Sequence, residues 1–66
     1  MRINITFIVN VLKAKHGKYT LKQLAEDLNV TEQTIQNWKN GTTQPYGVNL
    51  LNIMKLTHLK YEELWK

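Results

Sequence analysis

The chain has 66 residues and a mass of 7.8 kDa, enough for one folding unit and too little for a second. Hydrophobic residues make up 42% and there is no Cys, which excludes a disordered polar tail, a disulfide scaffold, a cysteine zinc site and a thiol nucleophile. Nine Lys and Arg against five Asp and Glu give a net charge of +4, a balance suited to a polyanionic partner.

The opening stretch Ile3 to Lys15 mixes β-branched residues with a helical stripe, Ile5, Ile8, Val9 and Leu12. The spacing predicts a first helix over about Thr6 to Lys15, capped by Asn4 or Thr6 and ended by Gly17, with the first few residues open to an extended form. Thr20 with Gln23 three residues on has the capping-box pattern, and Leu21, Leu24, Ala25 and Leu28 trace one apolar face of a second helix. Asn29 stands where a helix stop needs a residue tolerant of the left-handed conformation, with Val30 buried after it. Thr31 then caps a third helix, about Glu32 to Lys39, facing inward through Ile35 and Trp38 and ended by Asn40-Gly41.

Pro45 blocks an early restart. A fourth helix spans Val48 to Thr57 with Leu50, Leu51, Ile53, Met54 and Leu56 inward. A short last helix, Tyr61 to Trp65, packs through Leu59, Tyr61 and Leu64. The expected architecture is all-α, a compact bundle of five short helices occupying residues 1–66 as one domain. The longest apolar run, Phe7-Ile8-Val9, is far short of the roughly 20 residues of a membrane span, so a cytoplasmic protein with no membrane partner is expected.

Two short helices joined by a tight turn, the first with a small Ala in mid-stripe, describe a helix-turn-helix. A side chain larger than Ala25 would hold the two helices apart. Thr20-Leu-Lys-Gln-Leu-Ala-Glu-Asp-Leu-Asn-Val-Thr-Glu-Gln-Thr-Ile-Gln-Asn-Trp-Lys-Asn-Gly41 resembles the lambda-repressor-like, Xre/Cro family of DNA-binding domains, and the resemblance continues through Pro45 to Leu59-Lys-Tyr-Glu-Glu-Leu-Trp65. It implies a third helix that enters the major groove and a fifth helix at the position of Tyr61 to Trp65. Many members have Gly at the position of Asn29 and a small capping residue at that of Lys60. Some pair a helix 1 Arg with a Glu at the positions of Ala14 and Lys39; that pair is absent here, which leaves Lys39 for DNA.

With Ile35 and Trp38 turned inward, the outward face of the third helix carries Glu32, Gln33, Gln36, Asn37 and Asn40, four amides and no cation. Amides match the adenine edge and a carboxylate accepts from the cytosine amino group. Glu32, Gln33 and Asn37, with Gln36 beside them, are the base-reading candidates, and the resemblance points to the same positions. Phosphate contact is expected on the flanks, from Thr20 and Lys22 at the second helix and Thr31 at the third, and the resemblance implies that Lys39, Asn40, Thr42 and Thr43 clamp the backbone after the third helix, with Lys18 a looser candidate. For Thr20, Thr31 and Asn40 helix capping is the plainer role. Charge follows this division. Arg2, Lys13, Lys15, Lys18 and Lys22 crowd the first third, whereas residues 23–38 hold no cation but do hold Glu26, Asp27 and Glu32.

His16 and His58 each close a helix, where an imidazolium complements the dipole, and no ligand-spaced carboxylate or Cys makes either a metal ligand. No nucleophile–base pair or Gly-rich phosphate loop points to an enzyme, a cofactor or a small-molecule substrate. The expected function is a sequence-specific regulator that binds double-stranded DNA, a phage or mobile-element repressor of the Cro type acting by promoter occupancy. A homodimer at least on DNA is expected, with Leu64 and Trp65 as its candidate surface. The alternative is a protein-interaction module, antirepressor- or antitoxin-like, that uses the same fold to hold another regulator.

Overall fold

The computed structural model describes residues 3–65; Arg2, counted above among the N-terminal cations, lies outside them. Four α-helices and a terminal 3-10 helix follow in chain order: α1 Ile5–His16, α2 Leu21–Leu28, α3 Glu32–Asn40, α4 Val48–Thr57 and the 3-10 helix Tyr61–Trp65. There is no strand among the described residues. The radius of gyration, 10.6 Å, is close to the roughly 11 Å of a compact chain of this length.

Each helix starts where a side chain or a glycine permits it. Asn4 caps α1, its Oδ1 accepting the Phe7 N–H at 2.9 Å. Of the two candidate caps Asn4 is therefore the one used, and the helix begins one residue before the expected Thr6. Thr20 and Thr31 cap α2 and α3, accepting from Gln23 N at 3.2 Å and Thr34 N at 3.1 Å. The capping box at Thr20 is only half formed: the Thr20 hydroxyl accepts from Gln23 N, but the Gln23 side chain does not accept back from the Thr20 N–H, and its Nε2 donates to Asp27 Oδ1 at 3.0 Å.

The core takes buried side chains from every element, three each from α1 and α2. Ile8, Leu12, Leu24, Ile35, Ile53 and Leu64 are fully buried. Ile3, which precedes α1, joins them. Its N–H donates to Gln44 Oε1 at 3.0 Å and the Asn4 N–H donates to Leu64 O at 2.8 Å, so the first residues tie the α3–α4 loop to the 3-10 helix.

The C-terminal half departs from expectation at three places. Leu51 is 56% exposed instead of inward. The inward stripe of α4 is Leu50, Ile53, Met54 and Thr57, and Leu51 lies about 100° round the helix from Leu50, away from it. Thr57 is buried where an apolar residue would serve, its hydroxyl donating to Ile53 O at 2.8 Å and accepting from Leu59 N at 3.2 Å. Tyr61, also expected inward, is 53% exposed, leaving Leu64 to anchor the last segment. That segment is a 3-10 helix: five residues offer few i to i+4 bonds, and the tighter winding suits so short a piece. Its start is held by Glu63, whose Oε1 accepts the Lys60 N–H at 2.9 Å, so a cap lacking at Lys60 itself is supplied from three residues on.

Tyr19 sits in the α1–α2 connection yet is buried. It precedes the Thr20 cap and Leu24 is four helical positions on, the arrangement of a hydrophobic staple, and both lie in the core cluster. Its hydroxyl donates to Asp27 Oδ2, and its ring stacks on His16 with centroids 5.8 Å apart. Burial, then the hydrogen bond to Asp27 and the charge on that carboxylate, push the Tyr19 hydroxyl well above its ordinary range.

Two outcomes are expected. Ile53→Ala should cost about 2–5 kcal/mol in urea unfolding, whereas Leu51→Ala should stay within about 0.5 kcal/mol of the parent. Because the folded state raises the Tyr19 pKa, its contribution is complete below the unfolded value of about 10 and is lost as pH rises beyond it. Urea midpoints followed from about pH 9 to 11 should therefore fall more steeply for the parent than for Tyr19→Phe.

Candidate nucleic-acid interface

The turn between α2 and α3 is built from backbone bonds. Asn29 adopts the left-handed conformation at φ 57°, its N–H donating to Glu26 O, while the Val30 N–H donates to Ala25 O at 2.9 Å. This is the Schellman closure, which satisfies the last carbonyls of α2 and redirects the chain within two residues. Ala25, buried at the contact, lets α3 lie close against α2. Val30 is half-buried, not fully covered as expected, because it flanks the turn at the protein edge.

α3 runs Glu32–Asn40, one residue beyond the expected end, and Gly41 closes it with φ 80°. The Gly41 N–H donates to Trp38 O, and the Thr42 and Thr43 N–H groups both donate to Asn37 O, at 2.9 and 3.3 Å. A second Schellman closure thus fixes the far end of the helix. The backbone amides of Thr42 and Thr43 are thus committed to Asn37, while both residues are exposed.

Ile35 and Trp38 are buried, and the remaining side chains form an outward ridge. Glu32, Gln33, Gln36, Lys39 and Asn40 are exposed; Asn37 is half-buried. Trp38 is a core residue and offers no face for stacking. Gln33 Nε2 donates to Asn37 Oδ1 at 3.0 Å, so two of the four amides are already joined across one helical turn. Glu32 lies in the first turn, where its charge complements the positive end of the helix dipole.

The flanking candidates are exposed at the starts of α2 and α3 and at the end of α3. Thr20, Lys22 and Lys18 are exposed at the start of α2, with Thr31 at the start of α3 and Lys39 and Asn40 at its end. Because the Thr20 and Thr31 oxygens accept helix amides, each hydroxyl keeps its proton for another acceptor; the Thr31 hydroxyl meets that of Thr34 at 2.9 Å. The first two amides of α2, Leu21 and Lys22, have no acceptor in the helix by position.

Leu64 does not lie on a surface. It is fully buried, with its carbonyl bonded to Asn4, and this removes it as a candidate contact between subunits. Trp65 is half-buried, paired with exposed Tyr61 at a centroid distance of 5.6 Å, and its Nε1 is buried without a hydrogen-bond partner. Sequence reasoning missed Thr34, whose hydroxyl shares the α3 start with Thr31, and the Tyr19–Asp27–Gln23 brace behind the α2 start. The staple spacing Tyr19–Leu24 and the i, i+4 pair Gln23–Asp27 were the available signals.

No helix among the described residues is long and apolar enough to cross a membrane. No curated protein and no solved structure gives a significant match to the chain. The helix-turn-helix family matches residues 12–64, which span α2, the turn, α3, α4 and most of the 3-10 helix. The chain belongs to the Xre/lambda-repressor-like helix-turn-helix family of DNA-binding regulators.

Proposed function

We propose that the protein is a sequence-specific regulator of the Cro type, from a phage or mobile element, that represses by occupying a promoter. The observation that carries this reading is the α3 ridge: Glu32, Gln33 and Gln36 project into solvent while Ile35 and Trp38 hold the helix from behind. An α-helix with a polar outward face of this kind fits the major groove, and its first residues meet the base edges.

In this reading Glu32, Gln33 and Asn37 read bases, with Gln36 beside them. Lys22 and the α2 amides meet one phosphate strand, with Thr20 and Thr31 at the helix starts. Lys39, Asn40 and the hydroxyls of Thr42 and Thr43 meet the other side. Phosphate contact at residues 42–43 runs through hydroxyls because their amides are bonded to Asn37 O. The absence of cations from residues 23–38 supports a division of labour in which charge positions the protein and neutral groups select the sequence.

One such helix covers few base pairs, so the active species is a homodimer on paired half-sites about 34–36 Å apart. With Leu64 in the core, exposed Tyr61 and half-buried Trp65 are what the last segment offers a second copy. The alternative, a module that binds another regulator, draws on the exposed apolar side chains Tyr46, Val48 and Leu51 around the start of α4. A protein partner held there would be unaffected by Gln33→Ala, whereas preference for the operator would be relaxed.

Electrophoretic shifts against DNA flanking the gene test the leading reading. Lys39→Glu should weaken all duplexes alike and lower the slope of log affinity against log salt by about 1. Gln33→Ala should instead relax preference at one base pair, at about 1–3 kcal/mol. Identical behaviour of the two variants would refute the split between positioning and reading.

A further inference from the structure

We propose that a second copy of this chain docks on the start of α4, through Tyr46, Val48 and Leu51, in a two-fold contact that is completed on DNA. The inference rests on the reading of the protein as a regulator of paired half-sites, and it moves the contact between copies from the last segment to α4.

Among the described residues four large apolar side chains are more than half exposed, and three lie within six residues: Tyr46 at 82%, Val48 at 69% and Leu51 at 56%. Val48 and Leu51 are three apart in α4 and share a face, with Tyr46 just before it. Buried Ile53 and Thr57 hold the helix from its other side. Residues 40–54 carry no Lys, Arg, Asp or Glu. A two-fold contact sets a surface against itself, so charges near its axis face their own kind. Other faces carry such charges: Lys13 and Lys15 in the last turn of α1, and Lys60, Glu62 and Glu63 around Tyr61. The start of α4 is instead an uncharged patch with an aromatic residue, the composition of an interface core, and it matches itself.

Area decides when the contact forms. The three side chains leave on the order of 300–400 Å² in water, about half of the roughly 800 Å² per partner that a stable complex buries. Two free copies therefore separate in dilute solution. On neighbouring half-sites the effective concentration is far higher, and the same contact holds. A different protein, with no duplex to keep it beside the patch, lacks that aid. Reach agrees with this placement. Half-sites about 34–36 Å apart set each α3 about 17 Å from the two-fold axis. The connection from Asn40 to Tyr46 spans up to about 20 Å, and the longest extent of the molecule is 28 Å, so the patch can lie at that axis.

The chain has no Cys, so a single introduced thiol reports its own neighbour. The test duplex carries the sequence that the parent selects from a random pool. Leu51→Cys and Tyr61→Cys, both at exposed positions, are treated with a short bismaleimide with and without it. Leu51→Cys should give a crosslinked pair on the duplex and none without DNA, and Tyr61→Cys should give none in either case. In titrations the parent should fill the second half-site about 5- to 150-fold more tightly than an isolated one. Leu51→Glu should lose that gain, as should Leu51→Lys, and an equal mixture of the two should restore it. A charge that only altered DNA affinity would not be rescued by mixing. Crosslinking through Tyr61→Cys and not Leu51→Cys overturns the proposal in favour of the last segment. Independent filling of half-sites, with no Leu51→Cys crosslink, overturns it and leaves the patch to a different protein. Equal crosslinking of Leu51→Cys without DNA overturns assembly on the duplex. A parent that retrieves no common sequence overturns the operator reading itself, and this assembly with it.

Discussion

A nine-residue helix with two apolar anchors is the constraint on which the rest of this protein depends. α3 is too short to hold together by itself in water, where helices below roughly 12–15 residues are marginal. Burial of Ile35 and Trp38, about 1.5–3 kcal/mol for each side chain, sets its place against α1 and α2. Glu32, Gln33, Gln36, Lys39 and Asn40 are then exposed, with Thr34 and Asn37 half-buried, and a third anchor would have taken one of these outward positions. The small side chain of Ala25 is part of the same economy, since it brings α2 close enough for two anchors to suffice.

Both ends of α3 are stopped as firmly as its middle is held. Thr31 caps the start, and the Gly41 closure ends it, while the preceding Asn29 closure aims it. These devices order the backbone before any ligand arrives, which reduces what binding must order. The Tyr19–Asp27 bond and the Gln23–Asp27 bond brace the start of α2 in the same manner, beside exposed Thr20 and Lys22. The flank and the ridge thus stand on separate supports that meet in one core.

The N-terminal residues close this arrangement from the opposite side. Ile3 and Asn4 link Gln44, just past the recognition helix, to Leu64 in the last segment. The α3–α4 loop is therefore tied to the N-terminal residues at Gln44 although it contains no regular structure, and the Thr42 and Thr43 amides are bonded back to Asn37. Burial of Leu64 belongs to this linkage. It explains why the last segment contributes a core residue where a surface was expected.

Helix positions, their caps and the helix-turn-helix were set by the residues alone, because capping and the 3.6-residue stripe act within a few positions along the chain. Asn4, Thr20, Thr31, Asn29 and Gly41 all operate on amides or carbonyls of their own neighbours. The outward identity of Glu32, Gln33 and Gln36 follows from the same periodicity once Ile35 and Trp38 are turned in. Tertiary packing decided what periodicity leaves ambiguous: the exposure of Leu51 and Tyr61, and the burial of Tyr19, Thr57 and Leu64. It also determined whether the Gln23 side chain turned back to Thr20 or on to Asp27. Burial is a property of which elements meet, and short polar side chains choose among several partners within reach, so neither is settled by the local order of residues.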